Sequence, residues 1–143
     1  GTGSGYQAAI LSHMVQQVYS VEIIESLATK VHNRLNKLDY NNINLRTGDG
    51  YFGWPEYAPF DGIIVTAATP YIPQPLIEQL KTEARLVIPV GFPHNYQELM
   101  VVEKKANGEI VTHSILSVGF VPLTGDHDTE SDSKDHLHQE PKN

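Results

Sequence analysis

GTGSGY, residues 1–6, is a glycine-rich turn of the kind that cradles a nucleotide-like cofactor. Glycine adopts positive φ without strain and lets a ligand approach the main chain closely. Three glycines at alternate positions, followed by an apolar helix, suit a tight strand-to-helix turn whose free N–H groups face a ligand. Apolar residues recur at helical spacing from Ala8 to Val18, which predicts that helix over 8–18.

The glycine spacing discriminates between cofactors. The dinucleotide fingerprint G-x-G-x-x-G requires glycine at position 6, where this chain has Tyr6, and its third glycine comes one residue early at Gly5. An NAD(P)-dependent oxidoreductase is therefore a disfavoured alternative. Taken alone, the Gly/Ser run is also compatible with a flexible linker or an expression scar.

A short β-branched run over 18–24 contains an acid, Glu22, about twenty residues after the glycines. In open α/β sheets an acid at the tip of the second strand accepts hydrogen bonds from ribose hydroxyls. Glu22 also suits the start of the next helix, where its charge favours the N-terminus. That helix is predicted over 24–37, with an inner stripe of Leu27, Val31 and Leu35.

The middle of the chain alternates predicted strands and helices. A short strand over 43–47 ends in Gly48-Asp49-Gly50, although an Asp-Gly turn is weak evidence by itself. The near-continuous apolar run over 60–68 predicts a strand buried on both faces, as in a parallel sheet. A helix over 74–81 and a strand over 86–91 follow.

The last apolar segments predict an antiparallel hairpin. Residues 98–105 and 109–116 flank the dipeptide Asn107-Gly108, a strong hairpin signal. Parallel strand–helix–strand units with a hairpin at one end describe an α/β fold, a doubly wound sheet with a mixed edge.

Six segments carry a resemblance to a known family. In order and spacing over residues 1–123, the chain resembles protein-L-isoaspartate (D-aspartate) O-methyltransferase. The resemblance implies a Rossmann-like class I S-adenosylmethionine-dependent methyltransferase fold, with a mostly parallel sheet and an antiparallel edge hairpin. It also implies methyl transfer to the carboxylate of L-isoaspartyl (D-aspartyl) residues in damaged proteins or peptides. The segments are GTGSGY at 1–6, VYSVE at 18–22, GDG at 48–50, PFDGIIVTAATPYIP at 59–73, RLVIPVG at 85–91 and FVPL at 120–123.

The resemblance implies a role for each matching residue. Residues expected to contact the S-adenosyl-L-methionine cofactor are Gly1, Gly3 and Gly5 at the methionine part, Glu22 at the ribose, Asp49 and Gly50 at the adenine, and Thr66 near the transferred methyl. Residues expected to shape the substrate side are Ala67, the segment Pro89-Val90-Gly91 and the segment Val121-Pro122-Leu123.

The chain departs from the family in two ways. Thr82-Glu83-Ala84 stands where members usually have a Pro-Gly-Gly-like turn. The family's N-terminal helical region, first central strand and serine-containing segment precede the glycine motif and have no counterpart here. The resemblance therefore implies an N-terminally truncated fold in which no residue takes the role of that serine, and the catalytic residues stay unknown.

We therefore expect this chain alone to catalyse methyl transfer weakly or not at all. A non-catalytic remnant that acts as a binding or assembly module is the alternative from another class. In the family's sheet the absent strand lies between the strands ending near Glu22 and Thr66. Two open edges would then invite pairing with another chain.

Composition limits the remaining classes. The 143 residues allow one domain, predicted as a partial methyltransferase domain over 1–123 with a disordered acidic tail over 124–143. The net charge of −7 argues against nucleic-acid binding, and no run suggests a membrane span or a signal peptide. The absence of cysteine excludes disulfides and is compatible with a cytoplasmic protein. No metal site is predicted, since the tail histidines, His127, His136 and His138, lack a packed second shell.

Overall fold

The computed structural model describes residues 1–128, which form alternating helices and strands. In chain order the elements are α1 (Tyr6–Ser12), β1 (Val18–Glu22), α2 (Glu25–Lys37), β2 (Ile43–Thr47), 3-10 turns at Gly50–Phe52 and Pro55–Tyr57, β3 (Phe60–Ile64), α3 (Gln74–Glu78), β4 (Leu80–Gly91), β5 (Gln97–Lys104) and β6 (Ile110–Val118).

The strands form two hydrogen-bonded groups. β1 pairs with β2 in parallel, and a second group has the order β3-β4-β5-β6. β3 and β4 are parallel, whereas β5 pairs antiparallel with both β4 and β6. The turn between β5 and β6 contains Gly108 at φ 85°, as the Asn-Gly dipeptide predicts. The α/β class and the antiparallel edge hairpin are confirmed, and the described strands form a parallel pair and a four-stranded mixed sheet.

Apolar burial is concentrated around β4 and under α2. Leu86 and Ile88 on β4 and Val102 on β5 have no exposed surface, and Leu76 of α3 and Leu80 at the start of β4 pack with them. On α2 the buried residues are Ala28, Val31 and Leu35. The predicted inner stripe of that helix is confirmed at Val31 and Leu35, while Leu27 is half-buried.

The expectation that 60–68 is a strand buried on both faces is wrong. The strand ends at Ile64, and Asp61, Gly62 and Ile64 are exposed. Among residues 1–128, β3 pairs along one edge alone, with β4. Its other edge lines a cleft of about 840 Å³, which residues 18–21 of β1 border on the opposite side. An apolar run predicts that a segment is buried, but it does not show which strands or helices cover the segment.

The first and third helices are shorter than the periodicity predicts. α1 ends at Ser12, whose hydroxyl donates to the Ala9 carbonyl at 2.6 Å, and Asn42 Nδ2 donates to the freed Ser12 carbonyl at 2.7 Å. Side chains that compete for backbone groups stop a helix in this way. Val18 begins β1, where the sequence also predicts that the strand starts. Likewise α3 ends at Glu78, because the chain from Leu80 onward joins β4.

Candidate functional site

The glycine turn lies at the carboxyl ends of β1 and β3 and joins them. The amino nitrogen of Gly1 donates to the Val21 carbonyl at 2.9 Å, and the Gly1 carbonyl accepts from Thr66 Oγ1 at 2.8 Å. The hydroxyls of Thr2 and Ser20 lie 2.6 Å apart beside this contact. Parallel strands present their carboxyl ends to one edge of a sheet, where α/β proteins place ligands.

The Glu22 carboxylate holds the glycine turn through a hydrogen bond to the main chain. Only 5% of this residue is exposed, and its Oε2 accepts from the Gly3 N–H at 2.8 Å while Oε1 accepts from the Ile24 N–H at 3.2 Å. Each carboxylate oxygen has a second lone-pair direction, so Glu22 retains acceptor capacity. Burial lowers the pKa of the Gly1 amino group, and the Glu22 charge partly offsets that effect.

The three glycines serve different purposes. A Cβ at Gly5, where φ is 84°, would lie 2.7 Å from Val31 Cγ1, so this glycine permits the turn to pack on α2. A Cβ at Gly1 would lie 2.8 Å from Thr66 Oγ1. Gly3 also has positive φ, 56°, but a Cβ there would meet nothing within 4 Å. Gly3 is therefore the glycine of this turn at which the side-chain position is open.

Asp49 lies next to Glu22 at the end of β2. The Gly48 N–H donates to the Glu22 carbonyl at 3.0 Å and ties the ends of β1 and β2 together. Asp49 Oδ1 accepts from the Tyr51 N–H at 2.9 Å. Its Oδ2 lies 2.6 Å from Nδ1 of His127 and accepts from the His127 backbone N–H at 3.2 Å. The imidazole stacks on the Tyr51 ring, with centroids 4.4 Å apart and planes 8° from parallel.

The ionisation of Asp49 reflects these contacts. Burial raises the pKa of the Asp49 carboxyl, but the hydrogen bonds from the His127 side chain and from the backbone of Tyr51 and His127 outweigh it. The net pKa is lower than the ordinary value of 3.8. A carboxylate is therefore held ionised at the end of β2.

The residues expected on the substrate side converge at the end of β4. The Ala68 N–H donates to the Val121 carbonyl at 2.8 Å, and a parallel bridge pairs Ala68 with Pro122. A second bridge pairs Thr69 with Val90. Ala67, next to these bridges, is buried, whereas 71% of Val121 is exposed.

Two contacts of the site had no signal in the sequence. Thr2 bonds Ser20, and His127 bonds Asp49 from 78 residues away. Gly50, assigned to the adenine with Asp49, begins the 3-10 turn and lies under Leu123, because a Cβ there would be 4.0 Å from Leu123 Cδ1.

Residues 1–128 contain no group of three or more His, Asp or Glu side chains that could hold a metal ion. Within the same residues no helix is both long and apolar enough to cross a membrane. Of the tail histidines, His136 and His138 lie outside the described residues, and the domain boundary at 123/124 stays a prediction.

Comparison with known families gives a match over the whole described part. The model of the family Protein-L-isoaspartate(D-aspartate) O-methyltransferase matches residues 1–128. A Protein-L-isoaspartate O-methyltransferase 2 of Nitrosococcus oceani is 62% identical over 128 residues, which are 90% of this chain and 58% of that protein. A namesake from Syntrophobacter fumaroxidans is 60% identical, over 89% of this chain and 51% of its own length. The chain thus spans about half the length of the curated relatives it matches.

Solved structures agree on the fold. A protein-L-isoaspartate O-methyltransferase structure superposes with a TM-score of 0.86 at 28% identity, covering 100% of this chain and 46% of that one. A Plasmodium falciparum protein assigned to the same enzymes, in complex with S-adenosyl-L-homocysteine, superposes with a TM-score of 0.74 at 25% identity. That match covers 88% of this chain and 64% of the other. The fold is that of the class I methyltransferases.

Proposed function

We propose, from the premise that this chain belongs to the protein-L-isoaspartate(D-aspartate) O-methyltransferase family, that it is the cofactor-binding body of such an enzyme. The reaction would be S-adenosylmethionine-dependent methylation of the carboxylate of L-isoaspartyl (D-aspartyl) residues in damaged proteins. The observation that carries the proposal is the glycine turn, held between Glu22 and Thr66 at the ends of β1 and β3.

The residues present fit the cofactor. The side-chain position at Gly3 is open, which suits close approach of the methionine part. The lone pairs left on the Glu22 carboxylate suit ribose hydroxyls. The ionised Asp49, with Gly50 beside it, suits the amino group of adenine. Thr66, whose hydroxyl donates to the Gly1 carbonyl, is the residue that we assign to the side of the transferred methyl.

The chemistry requires positioning more than acid–base groups. A substrate carboxylate is ionised at neutral pH and needs no base to act as a nucleophile. The bound cofactor supplies an activated methyl group. The protein must align the two, and orientation can contribute roughly 7–11 kcal/mol in well-ordered cases. The surface that we assign to the peptide around the modified residue is formed by exposed Val121 and Pro122 with half-buried Val90, while Ala67 beside it is buried.

Slow or absent turnover by this chain alone is part of the proposal. The glycine turn is held by contacts to the ends of β1 and β3, at Val21 and Thr66. Between these two strands lies the open cleft. A site that works by orientation loses rate when its supports move, even by about 1 Å. We therefore expect cofactor binding to persist while methyl transfer is weak.

Titration with S-adenosylhomocysteine in a calorimeter tests the proposal, with NADH as the competing ligand. Saturable binding of S-adenosylhomocysteine that NADH does not displace is the expected result. Glu22→Ala, which removes the support under Gly3, should weaken it, whereas the exposed control Glu109→Ala should not. Saturable NADH binding that S-adenosylhomocysteine does not compete with would overturn the proposal and favour an NAD(P)-dependent oxidoreductase.

A binding or assembly module is the second candidate, and the unpaired edges of β1 and β3 favour it. Open strand edges pair readily with other chains. Self-association through these edges should appear in size-exclusion chromatography as species that grow with concentration. A stable monomer over the whole concentration range would remove this candidate.

For the enzyme we propose a cytoplasmic location, in line with the lack of cysteine.

A further inference from the structure

The side-chain amide of Gln97 holds the main chain of the segment that comes directly after β6. Its Oε1 accepts from the Phe120 N–H at 2.7 Å, and its Nε2 donates to the Phe120 carbonyl at 3.1 Å. Only 4% of Gln97 is exposed. One side chain therefore satisfies both main-chain groups of Phe120, and these two partners fix which end of the amide is the oxygen.

The strand ladder places Gln97 for this contact. Gln97 is the first residue of β5, and it pairs with Gly91 at the end of β4 and with Val118 at the end of β6. Because β6 ends at Val118, the Gln97 amide continues the hydrogen bonding where the main-chain ladder stops. A Cβ at Gly91 would overlap the Tyr96 carbonyl and lie 2.8 Å from Gln97 Cα, so glycine permits the close approach of β4 and β5 here.

The segment that Gln97 holds leads directly into the surface assigned to the peptide. Phe120 is followed by Val121, which is 71% exposed and whose carbonyl accepts from the Ala68 N–H at 2.8 Å. The Leu123 N–H donates to the Ala68 carbonyl, also at 2.8 Å. Val121 thus lies between two anchors, the Gln97 amide before it and the Ala68 main chain beside it. Loss of either anchor would release an exposed side chain of the peptide surface from its position.

Resting on the function proposed above, we propose that Gln97 is a positioning residue for the isoaspartyl peptide. Its buried amide acts through the main chain that it holds, and it keeps Val121 and Pro122 where they contact the peptide around the modified residue. The acids assigned to the cofactor, Glu22 and Asp49, lie at the ends of β1 and β2 instead. Gln97 therefore acts on peptide binding and leaves cofactor binding unchanged.

The size of the effect depends on how often the released segment adopts the binding position. If loss of the Gln97 anchor lets the segment occupy that position about one-tenth of the time, the apparent Kd for the peptide rises about tenfold. The Kd for S-adenosylhomocysteine should stay the same, because its proposed contacts are held by other hydrogen bonds. A change for one ligand alone is the signature of positioning, since a general loss of structure weakens the binding of both.

Gln79 provides a matched control elsewhere in the fold. It is 8% exposed, and its amide also bonds two main-chain groups. Its Oε1 accepts from the Trp54 N–H, and its Nε2 donates to the Phe52 carbonyl, both at 2.8 Å. Gln79→Met and Gln97→Met each remove one buried amide with two hydrogen bonds to the main chain. The two variants should lose similar stability in urea, yet Gln97→Met alone should weaken peptide binding.

Fluorescence anisotropy titrations of the full chain, saturated with S-adenosylhomocysteine, test the proposal with a labelled hexapeptide that contains an L-isoaspartyl residue. Gln97→Met should raise the peptide Kd by at least about fivefold, while Gln79→Met leaves it unchanged. Gln97→Glu, which keeps the acceptor for the Phe120 N–H and loses the donor, should also weaken peptide binding. Calorimetry should give the same Kd for S-adenosylhomocysteine in every variant. An unchanged peptide Kd in either folded Gln97 variant, or an equal loss for both ligands, overturns the proposal.

The wild-type chain distinguishes failure of this proposal from failure of the proposed function. In ¹⁵N-labelled wild type, the isoaspartyl peptide should shift the main-chain amide signals of Val121 and Leu123, with the aspartyl peptide as the control. Cofactor binding without peptide binding, or peptide binding without these shifts, overturns the positioning role and leaves the cofactor site standing. If the wild type binds neither ligand, the proposed function fails and the role of Gln97 fails with it.

Discussion

Gly5→Ala should destabilise the fold far more than Gly3→Ala, although both glycines have positive φ. The φ angles are 84° at Gly5 and 56° at Gly3, so each alanine adopts a left-handed conformation that costs roughly 1–2 kcal/mol. At Gly5 the new methyl would also lie 2.7 Å from Val31 Cγ1, whereas Gly3 has free space.

The difference between the two variants isolates the packing cost. Val31 is 2% exposed, and a β-branched side chain on a helix has one strongly preferred rotamer, so it cannot turn away. Overpacking of this kind costs roughly 1–3 kcal/mol. We therefore expect a loss of about 2–5 kcal/mol for Gly5→Ala and about 1–2 kcal/mol for Gly3→Ala. The unfolded-state gain from alanine is the same in both and cancels.

Urea denaturation followed by far-UV circular dichroism measures both losses. Adding Val31→Ala to Gly5→Ala should cost less than Val31→Ala in the wild-type background, with a coupling of about 1 kcal/mol or more. Gly3→Ala should instead weaken S-adenosylhomocysteine binding. Equal unfolding free energies for the two glycine variants, or no coupling with Val31, would refute the reasoning.

Three further predictions concern buried polar groups. Glu22→Ala leaves the Gly3 N–H without its acceptor and should cost about 1–3 kcal/mol by urea denaturation, with Glu22→Gln losing less. The Asp49 carboxylate, with its pKa below 3.8, stabilises the fold above that pH, and the contribution is lost as pH falls through the folded pKa. The unfolding free energy of wild type should thus drop toward that of Asp49→Asn in acid, and parallel pH profiles would contradict this. Gln79→Ala removes the acceptor of the Trp54 N–H and should cost about 1–3 kcal/mol in a thermal melt, while a loss under 0.5 kcal/mol would argue against that role.

Local patterns predicted the elements whose signals lie within a few residues. β2 occupies the predicted range 43–47, and α2 begins one residue after the predicted start. The hairpin forms at Asn107-Gly108, where the turn requires positive φ. Glu22 ends β1 and Asp49 follows the end of β2, as the local pattern of a strand followed by an acid predicts, while their roles toward the cofactor stay predictions.

Errors arose where a local pattern competes with a distant partner. The apolar spacing over 8–18 continues past Ser12, but Asn42 takes the Ser12 carbonyl and ends α1 there. The apolar run over 60–68 cannot indicate how many strands will flank it. Its outer edge faces the cleft, and Asp61, Gly62 and Ile64 are exposed.

The sequence by itself determined the α/β class, the order of elements and the family, because periodicity, turn chemistry and motif spacing are properties of neighbouring residues. Only the tertiary structure decided the function of each glycine and the pairing of His127 with Asp49. Both depend on atoms brought together across long stretches of chain, 78 residues in the latter case. Such contacts form when packing of the whole domain closes the intervening loops, and no local pattern records which groups will then meet.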